Sequence, residues 1–163
     1  MRSRADAGFT LFEIGVSAII IGLLAAVALP AVKRVTLVSK AHAVANDLRV
    51  LSGALQSYAQ QNGRYPAEAK VGIVPTGLAG YTKTVSWQKT TAIGGCFNWE
   101  DATQSLRASP FRAALAINTS GTKRPSTDRT LLLSIDRRID DGNLATGNFV
   151  LGKANQPLYI IER

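Results

Sequence analysis

Residues Ile14–Val32 read IGVSAIIIGLLAAVALPAV, and the fold turns on how this stretch is read. Ser17 is its only polar side chain, and it contains no charge. About 20 apolar residues cross a hydrocarbon core of ~30 Å, so the stretch has the length and composition of a transmembrane helix. A cleaved secretory signal is the alternative, with Arg2 and Arg4 as its basic start and Ala26-Val27-Ala28 as a small-residue cleavage site. Asp6 and Glu13 argue against that alternative, because acids stand where a basic segment is expected. Glu13 directly abuts the apolar run, and a carboxylate at the mouth of a membrane span is unfavourable unless a cation meets it.

Immediately upstream, Gly8-Phe9-Thr10-Leu11-Phe12-Glu13 leads into the apolar run. This junction resembles the prepilin leader of type IV pilins and of the pseudopilins of type II secretion. The match is close over residues 8–32 and pattern-level over 33–66. The resemblance implies a leader over residues 1–8 that a prepilin peptidase cuts between Gly8 and Phe9, with N-methylation of the new Phe9 terminus. Glu13 then falls at the acidic position of the mature chain, and Pro30 where the family often carries a proline in its first helix. In a bundle of staggered helices, Glu13 of one subunit can approach the Phe9 ammonium of a neighbour, so that each buried charge finds a partner. The charges flanking the span do not set its orientation, since Arg2 and Arg4 face Lys33, Arg34 and Lys40 on the other side. The resemblance implies a cytoplasmic N-terminus, a single pass through the bacterial inner membrane and a periplasmic head.

The helical pattern continues beyond the span. Val38, Ala41, Ala45, Leu48, Leu51, Leu55 and Tyr58 recur at spacings of three and four, while Lys40, Asn46, Arg49 and Gln56 fall largely off that stripe. Asn62-Gly63 and Pro66 supply a stop. A helix from Phe9 to Asn62 is ~80 Å long at 1.5 Å per residue, more than a small domain can bury. Its first half therefore needs lipid or other subunits. Gly22 and Pro30 are its weak points, because glycine is a poor helix former and proline removes a backbone hydrogen bond. The expectation is that this segment bends or melts during assembly. The segment NGRYP (Asn62–Pro66) also resembles the end of the first helix in many pilins, although a helix stop over a packed Tyr65 explains it equally.

Residues 67–163 read as a globular head. Ala67–Gly80 has the composition of irregular loop. Val85-Ser86-Trp87 and Cys96-Phe97-Asn98-Trp99, separated by Gly94-Gly95, are expected to form a β-hairpin. Phe111–Asn118 (FRAALAIN) is ambiguous and is assigned to strand. Ser126-Thr127-Asp128 caps an expected helix with inward residues Leu131, Leu132, Ile135 and Ile139, ending at Gly142; a buried strand over Leu131–Ile135 is the rival. Phe149–Leu151 and Leu158–Ile161 read as two final strands. The fold class is thus α+β and pilin-like: a long N-terminal helix, membrane-spanning in its first half, packed against a C-terminal antiparallel sheet. The expected divisions are 1–8 leader, 9–32 membrane and filament-core helix, 33–66 amphipathic continuation and 67–163 head.

The remaining chemistry is sparse. The chain has 163 residues with one cysteine, Cys96, and one histidine, His42. Neither an intramolecular disulfide nor a histidine-based triad is available, and no catalytic role is expected. Many type IV pilins close their C-terminal region with a disulfide; its absence shifts the resemblance towards the pseudopilins of type II secretion, or towards a disulfide-free pilin. Cys96 reads as a small buried hydrophobe. Asp136, Asp140, Asp141 and Asn143 lie together in IDRRIDDGN and offer the hard oxygens that calcium takes. Their spacing matches no EF-hand and Arg137 and Arg138 intervene, so a surface helix end with a glycine turn is preferred and no cofactor is expected. GNFVLGK (Gly147–Lys153) imitates a P-loop but has Ala154 where Ser or Thr is required. The formal net charge is +8, yet no aromatic residues interleave the basic pairs, so nucleic acid is not an expected partner.

Taken with the resemblance, these residues imply a structural subunit of a type IV-like filament, most simply a type II secretion pseudopilin. The alternative is a major or minor type IV pilin acting in adhesion, motility or DNA uptake. The implied partners are prepilin peptidase, an inner-membrane platform protein, other pilin-like subunits and, before assembly, membrane lipid.

Overall fold

The computed structural model describes residues 9–82, 85, 87–102 and 111–163. Helix α1 runs from Leu11 to Asn62. Strands β1 (Cys96–Asp101) and β2 (Ala113–Asn118), helix α2 (Arg129–Ile139), and strands β3 (Phe149–Leu151) and β4 (Pro157–Glu162) follow. The chain divides into two compact units at Leu37/Val38, inside α1. The expected leader, residues 1–8 including Gly8, lies outside the described residues.

In the first unit every side chain from Phe9 to Thr36 is exposed, and α1 is unbroken through Gly22 and Pro30. Proline has no N–H to offer the carbonyl four residues earlier, that of Ala26, so the ladder is weakened there without being interrupted. In the second unit the amphipathic stripe is buried as its spacing requires: Ala41, Ala45, Leu48, Leu51 and Leu55 are inaccessible or nearly so, joined by Val44 and Ala54. Val38 and Tyr58, at the two ends of the stripe, are half-buried, and Lys40, Asn46, Arg49 and Gln56 are exposed. The helix stops at Asn62, with Gly63 in the left-handed region at φ 70°. Beyond it Tyr65 tilts against Trp99 with ring centroids 5.4 Å apart, and the Trp99 Nε1–H donates to the Pro66 carbonyl at 2.9 Å.

The four strands form one antiparallel sheet in the order β1-β2-β4-β3. Ala113 to Ile117 of the central strand are all buried, so both faces of β2 are covered. On one face Ala114 and Ala116 sit opposite Ile160 and Leu158, with Phe111 and Val150 against the cluster. The alanine-rich run has the local propensity of a helix, but flanking partners on both sides hold it extended, and small side chains let the cluster close.

One expectation, the β-hairpin across Gly94-Gly95, needs correction. Val85 and Trp87 are buried as an alternating strand would be, but Trp87 lies in a turn and β1 pairs with β2, not with this segment. Burial pattern and strand pairing are separate properties here: Trp87 reaches the core from a loop, edge-on to Phe97 with centroids 6.3 Å apart. Gly94-Gly95 is accordingly not a hairpin turn between two strands. It closes a turn in which Thr91 N–H donates to the Gly95 carbonyl at 2.9 Å, and it lets the 124–125 backbone pass against it. Ser86 lies outside the described residues.

α2 takes the helical reading over the strand. Asp128 caps it, accepting from the N–H groups of Thr130 at 2.9 Å and Leu131 at 3.4 Å. Leu131, Leu132 and Ile135 are buried and Ile139 is half-buried. The GNFVLGK run forms β3 and the start of a 3₁₀ turn over Lys153–Asn155, so it does not wrap a phosphate.

Gly94 combines φ 88° with a position where a Cβ would collide with the Arg124 carbonyl oxygen. Gly94→Ala is expected to lower the unfolding free energy of the full chain in detergent by at least about 2 kcal/mol. Gly80→Ala, with open space around it and no left-handed backbone, should change it by less than about 0.5 kcal/mol. Urea unfolding followed by tryptophan fluorescence checks both.

Candidate functional site

The first site is the N-terminal end of α1. Phe9 is 82% exposed and precedes the helix. Thr10 and Glu13 form a reciprocal cap at its first turn. The Thr10 N–H donates to Glu13 Oε2 at 2.9 Å, the Thr10 hydroxyl donates to the same oxygen at 2.8 Å, and the Glu13 N–H donates back to Thr10 Oγ1 at 3.2 Å. Two of the amides a helix start leaves without partners are satisfied this way, and the carboxylate sits at the positive end of the helix dipole. Thr10 is a functional residue that the family resemblance does not single out. The Thr-x-x-Glu spacing immediately before an apolar run was the signal that marks it.

Beyond the cap, large apolar side chains point outward all around the helix. Leu11, Phe12, Ile14, Val16, Ile19, Ile20 and the others as far as Val35 are exposed, and none of the residues in the most apolar window is buried. A surface this large and this apolar has no stable existence in water. Gly15 and Gly22 have nothing within 4 Å of where a Cβ would stand, leaving two smooth places on that surface. At the far end the Thr36 hydroxyl donates back to the Val32 carbonyl at 2.9 Å, and Lys33, Arg34 and Lys40 project into solvent. The arrangement suits insertion in lipid or burial among other apolar helices.

The second site is the acidic cluster. Asp136 lies on the buried face of α2, Asp140 caps its C-terminal end, and Asp141 opens the loop that returns to β3. One carboxylate oxygen from each lies within 4.8 Å of the others. The preferred surface reading fails for Asp136, which is fully buried. Its position four residues after Leu132 and three before Ile139 places it on the inward face, a periodicity that the sequence already contained. Burial pushes its carboxyl above the usual range; the Gly142 amide opposes this, while Asp141 and Asp140 add to it. Asp141 is held below the usual range by the Thr146 hydroxyl and the Asn143 amide. Asn143 is exposed and its Oδ1 accepts from the Ala145 N–H at 3.2 Å, so it closes the loop and is not drawn into the cluster.

Elsewhere, an open polar cleft of about 730 Å³ is lined by Gln56, Arg64, Tyr65, Asp101, Arg112 and Glu162, with Arg112 and Glu162 paired at 2.6 Å. His42 is exposed on α1 and does not line that cleft. Cys96 is buried and free, in line with its expected role as a small hydrophobe.

No family model matches the chain, and no curated protein matches it. Among solved structures it is similar to the major type IV pilin PilA1 from Clostridium difficile, at 13% identity and a TM-score of 0.54. The alignment covers 78% of this chain and 97% of that one. At this identity the likeness establishes the fold: a long N-terminal helix followed by a four-stranded antiparallel sheet, as in a type IV pilin.

Removing the cap should loosen the first turn while leaving the head intact. Thr10→Val in detergent micelles is expected to speed amide exchange at Phe12 and Glu13 by about fivefold, the equivalent of a cap worth ~1 kcal/mol. Exchange measured by NMR should leave the amides of β2 unchanged.

Proposed function

We propose that this chain is a structural subunit of a type IV-like filament, matured by prepilin peptidase and polymerised through its N-terminal helix. The observation that carries the proposal is the fully exposed apolar first half of α1 on a chain with a type IV pilin fold. Such a surface is satisfied first by lipid and then by the equivalent helices of other subunits. In this reading cleavage between Gly8 and Phe9 leaves the apolar segment attached, so the mature chain stays in the inner membrane with a periplasmic head until it is extracted.

Cleavage also creates an ammonium group at Phe9, which the peptidase methylates. Glu13 then has two alternative partners. In the single chain it caps its own helix with Thr10. In a filament its carboxylate pairs with the Phe9 ammonium of a neighbour, so a subunit out of register buries a charge alone. Gly22 and Pro30 supply the local weakness that lets the segment between them bend or melt as lipid is exchanged for protein. The chain is a substrate of the peptidase and has no enzymatic role of its own.

The single cysteine, which rules out the disulfide common in type IV pilins, supports a pseudopilin of type II secretion held in the periplasm by an inner-membrane platform protein. The similarity to a major type IV pilin supports the second reading, a surface pilin acting in adhesion, motility or DNA uptake.

Intact-mass and N-terminal peptide analysis of the envelope protein should find a chain beginning at methylated Phe9. A chain beginning at Met1, or after Ala28, contradicts the proposal. Glu13→Ala should be processed normally yet lose at least about tenfold in filament yield, because it removes one charge of a buried pair. Immunoblots of sheared surface material against envelopes separate the two readings, with processed protein retained in the envelope expected of a pseudopilin.

A further inference from the structure

We propose that Lys33, Arg34 and Lys40, at the C-terminal end of the apolar segment of α1, gather anionic phospholipid headgroups around the chain. The inference rests on the membrane-inserted stage of the proposed function and adds a lipid class to it. Lys33 follows Val32 directly, where the apolar run ends, and all three side chains are exposed. From Ile14 to Asn46 the chain contains no acid. Glu13 stands about 30 Å before Lys33 along the helix, and Asp47 about 10 Å beyond Lys40. Helical side chains pair with neighbours three or four positions away, so neither acid is placed to neutralise the group. Among the described residues no ion pair reaches any of the three.

Their placement favours a bilayer surface over bulk solvent. Every Cα–Cβ bond in an α-helix tilts towards the helix N-terminus, which here is towards the apolar segment. The long aliphatic stems therefore lean back over the end of the span and carry their charges to headgroup depth. Lys40 starts about 12 Å beyond Val32, and the tilt together with its stem brings the ammonium within about a Debye length of the headgroups. Lys33 and Lys40 fall on one side of the helix by their spacing, with Arg34 about 100° around from Lys33. The Thr36 hydroxyl beside them is spent on the Val32 carbonyl. What the flank offers is thus positive charge and N–H donors, and the complement is a phosphodiester with acceptor oxygens and a net negative charge. A zwitterionic headgroup brings its own cation alongside the phosphate and gains less.

The charge balance across the span points the same way. In the orientation proposed, cations on the head side oppose insertion, because Lys and Arg favour the cytoplasmic side. Cleavage after Gly8 also removes Arg2 and Arg4, which leaves the basic side chains that flank the span on the head side alone. Attraction to anionic headgroups offsets that cost, each cation near such a surface contributing a factor of about five in affinity. The lipids so gathered fix the depth of the helix until the subunit leaves the bilayer.

The test reconstitutes the full chain in phosphatidylcholine vesicles and compares spin-labelled phosphatidylglycerol with spin-labelled phosphatidylcholine in the motionally restricted lipid shell. Only the head-side half of the shell meets the cations, so phosphatidylglycerol should be favoured about threefold overall, falling towards parity in about 0.5 M sodium chloride. Lys33→Gln, Arg34→Gln and Lys40→Gln together should abolish the preference, while Arg2→Gln with Arg4→Gln should preserve most of it. The three flank positions are exposed, so unfolding of the head followed by tryptophan fluorescence should not change. Equal restriction of the two lipids by the wild-type chain overturns the proposal, as does a preference that the flank variant retains. Loss of the preference in inorganic phosphate at matched ionic strength also overturns it, by assigning the cations to a free anion. Flotation separates the two possible failures. A chain that does not float with phosphatidylcholine vesicles contradicts the membrane reading itself, whereas one that floats without lipid preference contradicts this inference alone.

Discussion

An apolar helical surface that its own chain leaves uncovered is the constraint from which the rest of this structure follows. From Leu11 to Val35 the large side chains of α1 contact solvent in the single chain, and burying each of them is worth about 1.5–3 kcal/mol. None of the described residues covers them in the single chain. Lipid or other helices must do so, and the two environments differ in one respect that matters for assembly. Lipid has no charge register, whereas a bundle of helices carrying Glu13 near their starts does. In the filament we propose, the residue that caps the helix in the single chain is also the group that distinguishes one axial position from the others.

The second unit solves a different problem with the continuation of the same helix. From Ala41 to Leu55 one face is buried and the other polar, so α1 changes from uniformly apolar to amphipathic without any break in its backbone. That change in pattern, not a linker, marks the division at Leu37/Val38. One element thereby presents an uncovered apolar surface at one end and serves as a core helix at the other.

Much of this was legible in the sequence. The apolar run, the three-and-four stripe and the Asn62-Gly63 stop follow from local periodicity and stop signals, and the structure has each of them. The Asp128 cap, the strand at Phe149–Leu151 and the strand core at Leu158–Ile161, which extends by one residue at each end to Pro157–Glu162, were likewise readable. Strand pairing was not, because partners are chosen by the whole sheet. Cys96–Asp101 finds its neighbour at Ala113–Asn118 and not at the nearer, equally alternating Val85–Trp87. The acidic cluster shows a third kind of difficulty. Asp136 satisfies the helical spacing of an inward position, yet an ionisable residue on an inward face is so unusual that the surface reading is preferred without the coordinates. Thr10 is the opposite case: its Thr-x-x-Glu spacing with Glu13 is a capping signal contained wholly in the local sequence.

The central claim is that the exposed half of α1 is buried by equivalent helices of other subunits. A photo-crosslinking amino acid placed at Ile20 in cells expressing the chain at native level tests it directly, since that side chain projects from the middle of the apolar surface. The account predicts a ladder of adducts containing two or more copies of this chain or of other pilin-like subunits, dependent on prior processing at Gly8. Adducts to lipid alone in cells with an active assembly machinery would contradict it.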